Sequence, residues 1–484
     1  MPQPTYRKYG GPLDRFPSVL WGVLISTVVA SLTFYLAIIS ALTYPYFSLN
    51  MVIAFFIALV YTTIAIKISR MSIKTVKPSV IIKALVIFWF LAPFLVAVPF
   101  SYFTHIDLAN SYFEMVSGLT GTGFTILNPS NESPFINAIR AASQWTGEVG
   151  ALFLTLILAI VYHVSPTGLV SALGKGERVR PSMYKTLIDL ITIYLILTII
   201  PITYMYLSGM SLYDSLVYTF AALATGGFAP TAGGTADLNP LQQGLVILTC
   251  VLGALNFSVY LNLRYGKVKR ALNHPELKML LGSIFFYAFL ILLVWRNFSP
   301  QAVWSAVFHS ASAVTTAGFQ IQDVSKFSES VKYIITFAMI IGASAFSTGG
   351  GIKLFRAYII GKLIASQVNK MGKPRGYIKT IKAMGKEIDP EDLLTMLTVV
   401  SAYIFTLLIM SMIITELMSM HKIRVPSIDI LFEVASAMSG TGLSSGLTAI
   451  APIDVRLLLA VSMIVGKLEV LPVLYAISSL FKKG

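Results

Sequence analysis

Four short segments hold the residue types that could do chemistry: Thr120-Gly121-Thr122-Gly123-Phe124, Thr225-Gly226-Gly227-Phe228, Thr315-Thr316-Ala317-Gly318-Phe319 and Ser439-Gly440-Thr441-Gly442-Leu443. Each places a hydroxyl two or three residues before a glycine, and that glycine before a large apolar side chain. A cation leaving water needs replacement oxygens. A loop whose carbonyls converge supplies them where some residues take backbone angles that glycine accepts cheaply. The hydroxyls of Thr120, Thr225, Thr315 and Ser439 can add an oxygen below the carbonyls, and Phe124, Phe228, Phe319 and Leu443 wedge the loops against surrounding helices. Small residues are also common where membrane helices pack closely. That accounts for one or two such sites, but not for four in the same context.

The elements that must position these segments repeat with them. Aligned on the glycine before the bulky residue, the preceding residues are Ser117-Gly118-Leu119-Thr120, Ala221-Ala222-Leu223-Ala224, Ser312-Ala313-Val314-Thr315 and Ser436-Ala437-Met438-Ser439, a pattern of small, small, large and usually hydroxyl. Upstream lie the stretches 108–119, 212–223, 302–314 and 429–438, too short to cross a bilayer but suited to half-helices. Lipid cannot satisfy bare backbone, so such a half-helix and its non-helical continuation must be buried in protein and face water. Four of them around one axis make a pore.

Composition fixes the class: 56% of residues are hydrophobic and 12% charged, with a mean hydropathy of +0.77. Crossings are expected at 17–42, 49–67, 83–103, 136–163, 186–207, 241–264, 279–297, 328–360, 393–418 and 454–479. The first apolar run is too long for a signal-peptide core and is read as an uncleaved helix. The expected fold is an all-α membrane protein of four concatenated helix, pore-helix, helix repeats with pseudo-four-fold symmetry, preceded by two extra transmembrane helices. The corresponding divisions are a preface at 1–75, pore repeats at 76–174 and 175–272, a third at 273–378 with a broken inner helix, and a fourth at 379–484.

The net charge of +15 raises the question of nucleic acid, and its distribution answers it. Most Lys and Arg cluster before the first helix (Arg7, Lys8, Arg15) and at 67–83, 175–185, 264–278, 353–386 and the C-terminal end (Lys482, Lys483). All these clusters fall on one side of the ten-helix arrangement. The positive-inside rule makes that side the cytoplasm of a multi-pass protein in the cell membrane, with both termini inside, and no nucleic-acid partner is needed. The opposite face carries Asp107, Glu114, Glu132, Asp214, Asp237, Asp323, Glu329, Asp429 and Glu433. An outer mouth of this sign concentrates cations.

The run Gly342-Ala343-Ser344-Ala345-Phe346-Ser347-Thr348-Gly349-Gly350-Gly351 interrupts the eighth crossing. It is too polar and flexible to remain a lipid-facing helix, so it is expected to line the cavity inside the four loops. Although Ser347 to Lys353 looks like a phosphate loop, the spacing fails and no strand precedes it, so nucleotide binding is rejected. Glu148 is an acid inside a crossing; it pairs with Arg140 or Lys467, or binds a proton or cation, and the sequence leaves these open. Five scattered histidines give no metal site. Cys250, the single cysteine, allows no intrachain disulfide. No nucleophile or acid-base pair points to an enzyme.

With these residues in place, the chain resembles the Trk/Ktr/HKT superfamily of potassium transporters, and more closely its TrkH-type membrane subunit, over nearly everything after residue 80. Gln144-Trp145, read as opening the inward helix of the first unit, and Gly466-Lys467-Leu468-Glu469 belong to the match, although the family tends to carry arginine where this chain has Lys467. The resemblance implies K+ as the transported ion with no organic cofactor. It implies a selectivity filter with glycines Gly123, Gly227, Gly318 and Gly442, glycine at all four favouring potassium over sodium, with the adjoining loop residues named above as ion-binding. It also implies an intramembrane gate at Gly342, Ser344, Ser347, Thr348, Gly349, Gly350, Gly351 and Lys467, the lysine standing in the ion path, holding loop carbonyls or pairing with Glu469. Partners implied are a second copy in a homodimer, membrane lipids, and a cytosolic nucleotide-binding regulatory subunit of the TrkA/KtrA kind. That subunit would meet the basic loops at 175–185, 264–278 and 362–386, since the chain carries no soluble domain for that role. The alternative is a proton- or sodium-coupled secondary transporter with broken helices, using Glu148 or Asp189.

Overall fold

The computed structural model describes residues 17–71, 78–162, 183–371, 382–383 and 386–481. Two apolar helices, Pro17–Leu42 and Leu49–Ser69, come first. The first packs against the next long helix and against Pro134–Tyr162, where Thr33 and Thr146 share a buried hydroxyl pair at 2.7 Å. The basic residues at 7–15, Lys74, Lys77, the loop 175–182 and Lys482 and Lys483 lie outside the described residues.

After this preface one order of elements occurs four times. An outer helix (Pro78–Thr104, Met183–Leu207, Pro275–Trp295, Pro390–Met420) leads to a pore helix (Leu108–Leu119, Leu212–Leu223, Pro300–Val314, Ser427–Ser439), then a loop with a single short helical turn, then an inner helix. The inner helices are Pro134–Tyr162, Pro240–Ala254, Glu329–Ile341 and Ile453–Leu468. Three pore helices begin at a side-chain cap: Asp107 accepts from Asn110 N–H at 3.0 Å, Ser211 from Asp214 at 3.0 Å and Ser299 from Ala302 at 3.3 Å. Such caps satisfy backbone donors that the first turn leaves bare. The Asn110 backbone and side chain hold the Asp107 carboxyl below the usual range.

Among the described residues, six helices are long and apolar enough to cross a membrane alone. The expected straight crossings at 241–264 and 454–479 are instead bent. Pro240–Ala254 meets Phe257–Arg264 at 87°, and Ile453–Leu468 meets the following helix at 104°. The polar residues Asn256 and Glu469 sit at these breaks, where Asn256 caps the second half through Ser258 N–H at 2.9 Å. The eighth crossing is split as expected, its halves ending at Ile341 and resuming at Leu354. Three inner helices therefore break shortly after a glycine in a corresponding position: Gly253, Gly342 and Gly466.

Candidate functional site: a ring of four loops

Each pore helix ends in the same hydrogen-bond motif. The N–H groups of Thr122, Gly226, Ala317 and Thr441 return to the carbonyls of Ser117, Ala221, Ser312 and Ser436 at 2.8 to 2.9 Å. Those of Gly121, Thr225, Thr316 and Gly440 return to Gly118, Ala222, Ala313 and Ala437 at 2.9 to 3.2 Å. This double closure is a Schellman motif, which needs a left-handed residue just past the helix end. Gly121 (φ 69°), Thr225 (50°), Thr316 (55°) and Gly440 (65°) supply it. Two residues on, Gly123 (92°), Gly227 (81°), Gly318 (73°) and Gly442 (84°) are left-handed again. The sequence-based register needs one correction. Thr225 occupies the left-handed position, and Ala224 takes the place held elsewhere by Thr120, Thr315 and Ser439, so one unit lacks the hydroxyl at the helix end.

The four loops close on one another in order. A Cβ placed on Gly123 would overlap the Gly226 carbonyl, one on Gly227 would lie 2.6 Å from the Ala317 oxygen, one on Gly318 would overlap the Thr441 carbonyl, and one on Gly442 the Thr122 carbonyl. Unit one touches two, two touches three, three touches four and four touches one. The carbonyl before each glycine thus lies against the preceding loop's bare α-carbon, so close that an added Cβ would force the backbone to shift. At the inner end, Thr120 and Thr315 donate to pore-helix carbonyls at 2.7 Å. Their protons are committed to the helix, and oxygen lone pairs remain.

The ring is held from outside by buried polar groups. Glu114, Tyr218, His309 and Glu433 stand at one aligned position, and each ties the chain just past its loop. Glu114 accepts from Thr125 Oγ1 (2.7 Å) and Ile126 N–H (3.1 Å), and Glu433 from Ser445 and Thr448 N–H (both 2.9 Å). Tyr218 donates to Gly234 O (2.9 Å), and His309 Nε2 lies 3.4 Å from Gln322 N and O. The expectation that Glu114 and Glu433 charge an open outer mouth is therefore corrected: both are 0% exposed. Asp429 is paired with Lys332 at 2.6 Å. Asp107, Asp237, Asp323 and Glu329 remain exposed.

Arg140 is 1% exposed, with its Nε 2.9 Å from Glu114, an N–H donated to Asn137 at 3.0 Å, and its guanidinium 4.2 Å over the Phe228 ring of the second loop. Gln144 lies mid-helix rather than at a helix opening. Its amide donates to the Gly226 carbonyl at 2.5 Å and accepts from Phe228 N–H at 3.3 Å. Gln144→Leu should cost about 1–3 kcal/mol, the penalty for leaving buried backbone groups unpaired. The loss is read as a lower detergent melting temperature.

Residues 342–353 run directly beneath the ring. Gly350 N–H donates to Thr316 Oγ1 at 2.7 Å, Thr348 Oγ1 to Leu223 O at 3.0 Å, and Thr225 Oγ1 to Thr348 Oγ1 at 3.4 Å. A Cβ on Gly350 would overlap the Ser439 carbonyl. The two left-handed threonines, a costly conformation for a β-branched residue, are thus the two whose hydroxyls hold this segment. Lys467 is the partner of Glu148, and Arg140 pairs with Glu114 instead. Two further expectations are corrected. The lysine that grips a loop carbonyl is Lys353, on Gly349. Glu469 is bound by Arg356 at 2.8 Å rather than by Lys467. Asp189 is paired with Arg264 at 3.1 Å. No group of His, Cys, Asp and Glu able to hold a metal occurs among the described residues.

Comparison with known proteins agrees with this architecture. The family TrkH, described as cation transport protein, matches residues 297–483. An uncharacterized cation transporter of Methanocaldococcus jannaschii is 27% identical over 402 residues, covering 82% of this chain and 81% of that protein. The Trk system potassium uptake protein TrkH of Escherichia coli is 26% identical, covering 82% and 84%. The crystal structure of the potassium transporter TrkH from Vibrio parahaemolyticus has the same fold, with a TM-score of 0.83, 22% identity, and coverage of 97% of this chain and all of that one. These are transport proteins and not enzymes. The resemblance carried by the four loops is borne out: the chain has the TrkH fold, is similar over 82% of its length to Trk-type transport proteins, and its long apolar helices fit a multi-pass membrane protein.

Proposed function

We propose that this chain conducts potassium into the cell through the four-loop ring, with carbonyls flanking Gly123, Gly227, Gly318 and Gly442 replacing the ion's water and with segment 342–351 as the gate. The observation that carries the reading is the cyclic closure of the loops. Carbonyl oxygens from four strands held at fixed separation can coordinate a dehydrated monovalent cation, and the divided charge of carbonyl dipoles suits an alkali ion. The half-helices point their C-termini, the negative end of the helix dipole, inward beneath the ring. The sequence of units 76–174, 175–272, 273–378 and 379–484 after a preface at 1–75 supplies the four strands. Because the residues before the glycines differ (Thr122, Gly226, Ala317, Thr441), discrimination between potassium and sodium is weaker than in an identical four-fold ring. Relatives named as Trk system proteins fit a chain that works with further components; a cytosolic regulatory partner on the basic face and two copies pairing in the membrane belong to the same proposal.

Rubidium uptake into potassium-auxotrophic cells expressing this chain tests the reading. Uptake competed more strongly by potassium than by sodium is expected. Gly123→Ser places a side chain against the Gly226 carbonyl at a left-handed position, and it should lower the potassium-to-sodium preference at least roughly tenfold, a change of about 1.4 kcal/mol. An unchanged preference refutes the filter assignment.

A further inference from the structure

Below the ring, the gating segment has a second attachment that nothing in its own sequence announces. Glu276 stands in the first turn of the third outer helix, 0% exposed. Its Oε2 accepts the N–H of Ala345 at 2.7 Å, and its Oε1 accepts from the Asn256 amide at 3.2 Å. Asn256 is the residue at which the second inner helix breaks. Around it Phe257 N–H donates to Phe346 O at 2.8 Å, the two rings meet edge-on at 5.6 Å, and Thr348 N–H donates to Gly253 O at 3.2 Å. Phe346 is itself left-handed, at φ 50°. Released from these contacts, a phenylalanine leaves that conformation readily.

The same short stretch of chain reaches the surface that carries Arg264, Lys267, Lys269 and Arg270, the face that the positive-inside rule makes cytoplasmic. From the bend, Phe257–Arg264 and Val268–Leu272 lead through an exposed turn to His274 and then Glu276. The carboxylate is therefore fixed to a surface segment on one side and to the gating segment on the other. We infer that Glu276 is a positioning residue: it latches segment 344–348 beneath the ring and transmits displacement of the turn at 264–275 to it. A buried carboxyl suits this role because its two oxygens hold both partners at once, Oε2 the Ala345 N–H and Oε1 the Asn256 amide.

This inference rests on the pore reading above, and its test separates the two. In inside-out vesicles the wild-type protein should carry rubidium; absence of any flux would condemn the pore reading and leave the latch to the second measurement. That measurement is the rate at which a charged thiol reagent modifies a cysteine introduced by Ser347→Cys, the native Cys250 being buried. Adding Glu276→Ala should raise both that rate and the unstimulated flux roughly tenfold or more, the size expected when a hydrogen bond to a charged group is lost. Glu276→Gln, which keeps an acceptor for Ala345, should stay within a few-fold of wild type. If Glu276→Ala does not insert, Asn256→Ala removes the other half of the latch and should shift both readouts in the same direction by less. Unchanged modification rates in these variants, or equal effects of Ala and Gln at 276, overturn the proposal.

Discussion

Replacing Arg140 with methionine should destabilise the folded protein by about 3–5 kcal/mol, the cost of breaking a buried ion pair by removing one partner. Arg140 is the buried cation for Glu114. Without it a carboxylate that braces the first loop through Thr125 and Ile126 stays in the interior with no countercharge. The guanidinium also covers Phe228, so the first two loops lose their shared brace together. The expected result is a large drop in detergent melting temperature and poor recovery of folded protein on size-exclusion chromatography. Pairing the change with Glu114→Gln removes the stranded charge, and most of the lost stability should return. If Arg140→Met alone melts like the wild type, the bracing role is refuted.

That prediction could not have come from the sequence alone, and the reason lies in what one dimension hides. Glu114 and Glu433 read as mouth charges because they lie near the outer ends of their units. Whether an acid there faces water or turns inward depends on the helix face it occupies. A signal did exist: Glu114, Tyr218, His309 and Glu433 recur at one spacing before the glycines, each polar within an otherwise packed half-helix. Gln144 was noticed as part of a family match, but its partner, the Gly226 carbonyl, is 82 residues away. No local pattern reports such a contact.

The elements set by local chemistry were legible. The first two pore helices begin and end where length and small-residue pattern put them, because a cap at one end and a left-handed residue at the other are both local devices. The bends after Ala254 and Leu468 are not legible from glycine alone, because Gly147 makes the same close approach to its pore-helix end as Gly253 and Gly466 and yet lies inside an unbroken helix. Only Asn256 and Glu469, polar residues inside apolar runs, hint that the backbone there finds partners outside its own helix. Thr225 shows the limit of counting hydroxyls. Shifted by one residue, the same side chain leaves the ring's inner edge and holds the segment beneath it.

The second large effect is expected at Lys467 and Glu148, with opposite signs for the two partners. Glu148 is 2% exposed and its carboxylate lies 2.6 Å from where a Cβ of Gly121 would be, at the inner edge of the first loop. Lys467 places an ammonium there from the fourth unit. Two unit charges 4 Å apart interact by about 4 kcal/mol at an effective dielectric of 20, so whichever partner remains dominates what a passing cation meets. Lys467→Met removes the carboxylate's bonded partner, leaving Lys353 as the remaining cation that acts on it, and should raise rubidium flux at least roughly tenfold, which takes only about 1.4 kcal/mol off the barrier. Glu148→Gln leaves the ammonium alone and should lower flux by a similar factor. The stranded carboxylate also binds the ion itself. The melting temperature of Lys467→Met should therefore rise with potassium concentration more steeply than that of the wild type, because a ligand bound only by the folded state stabilises it by mass action. Flux moving in the same direction for both substitutions would show that the pair serves packing alone.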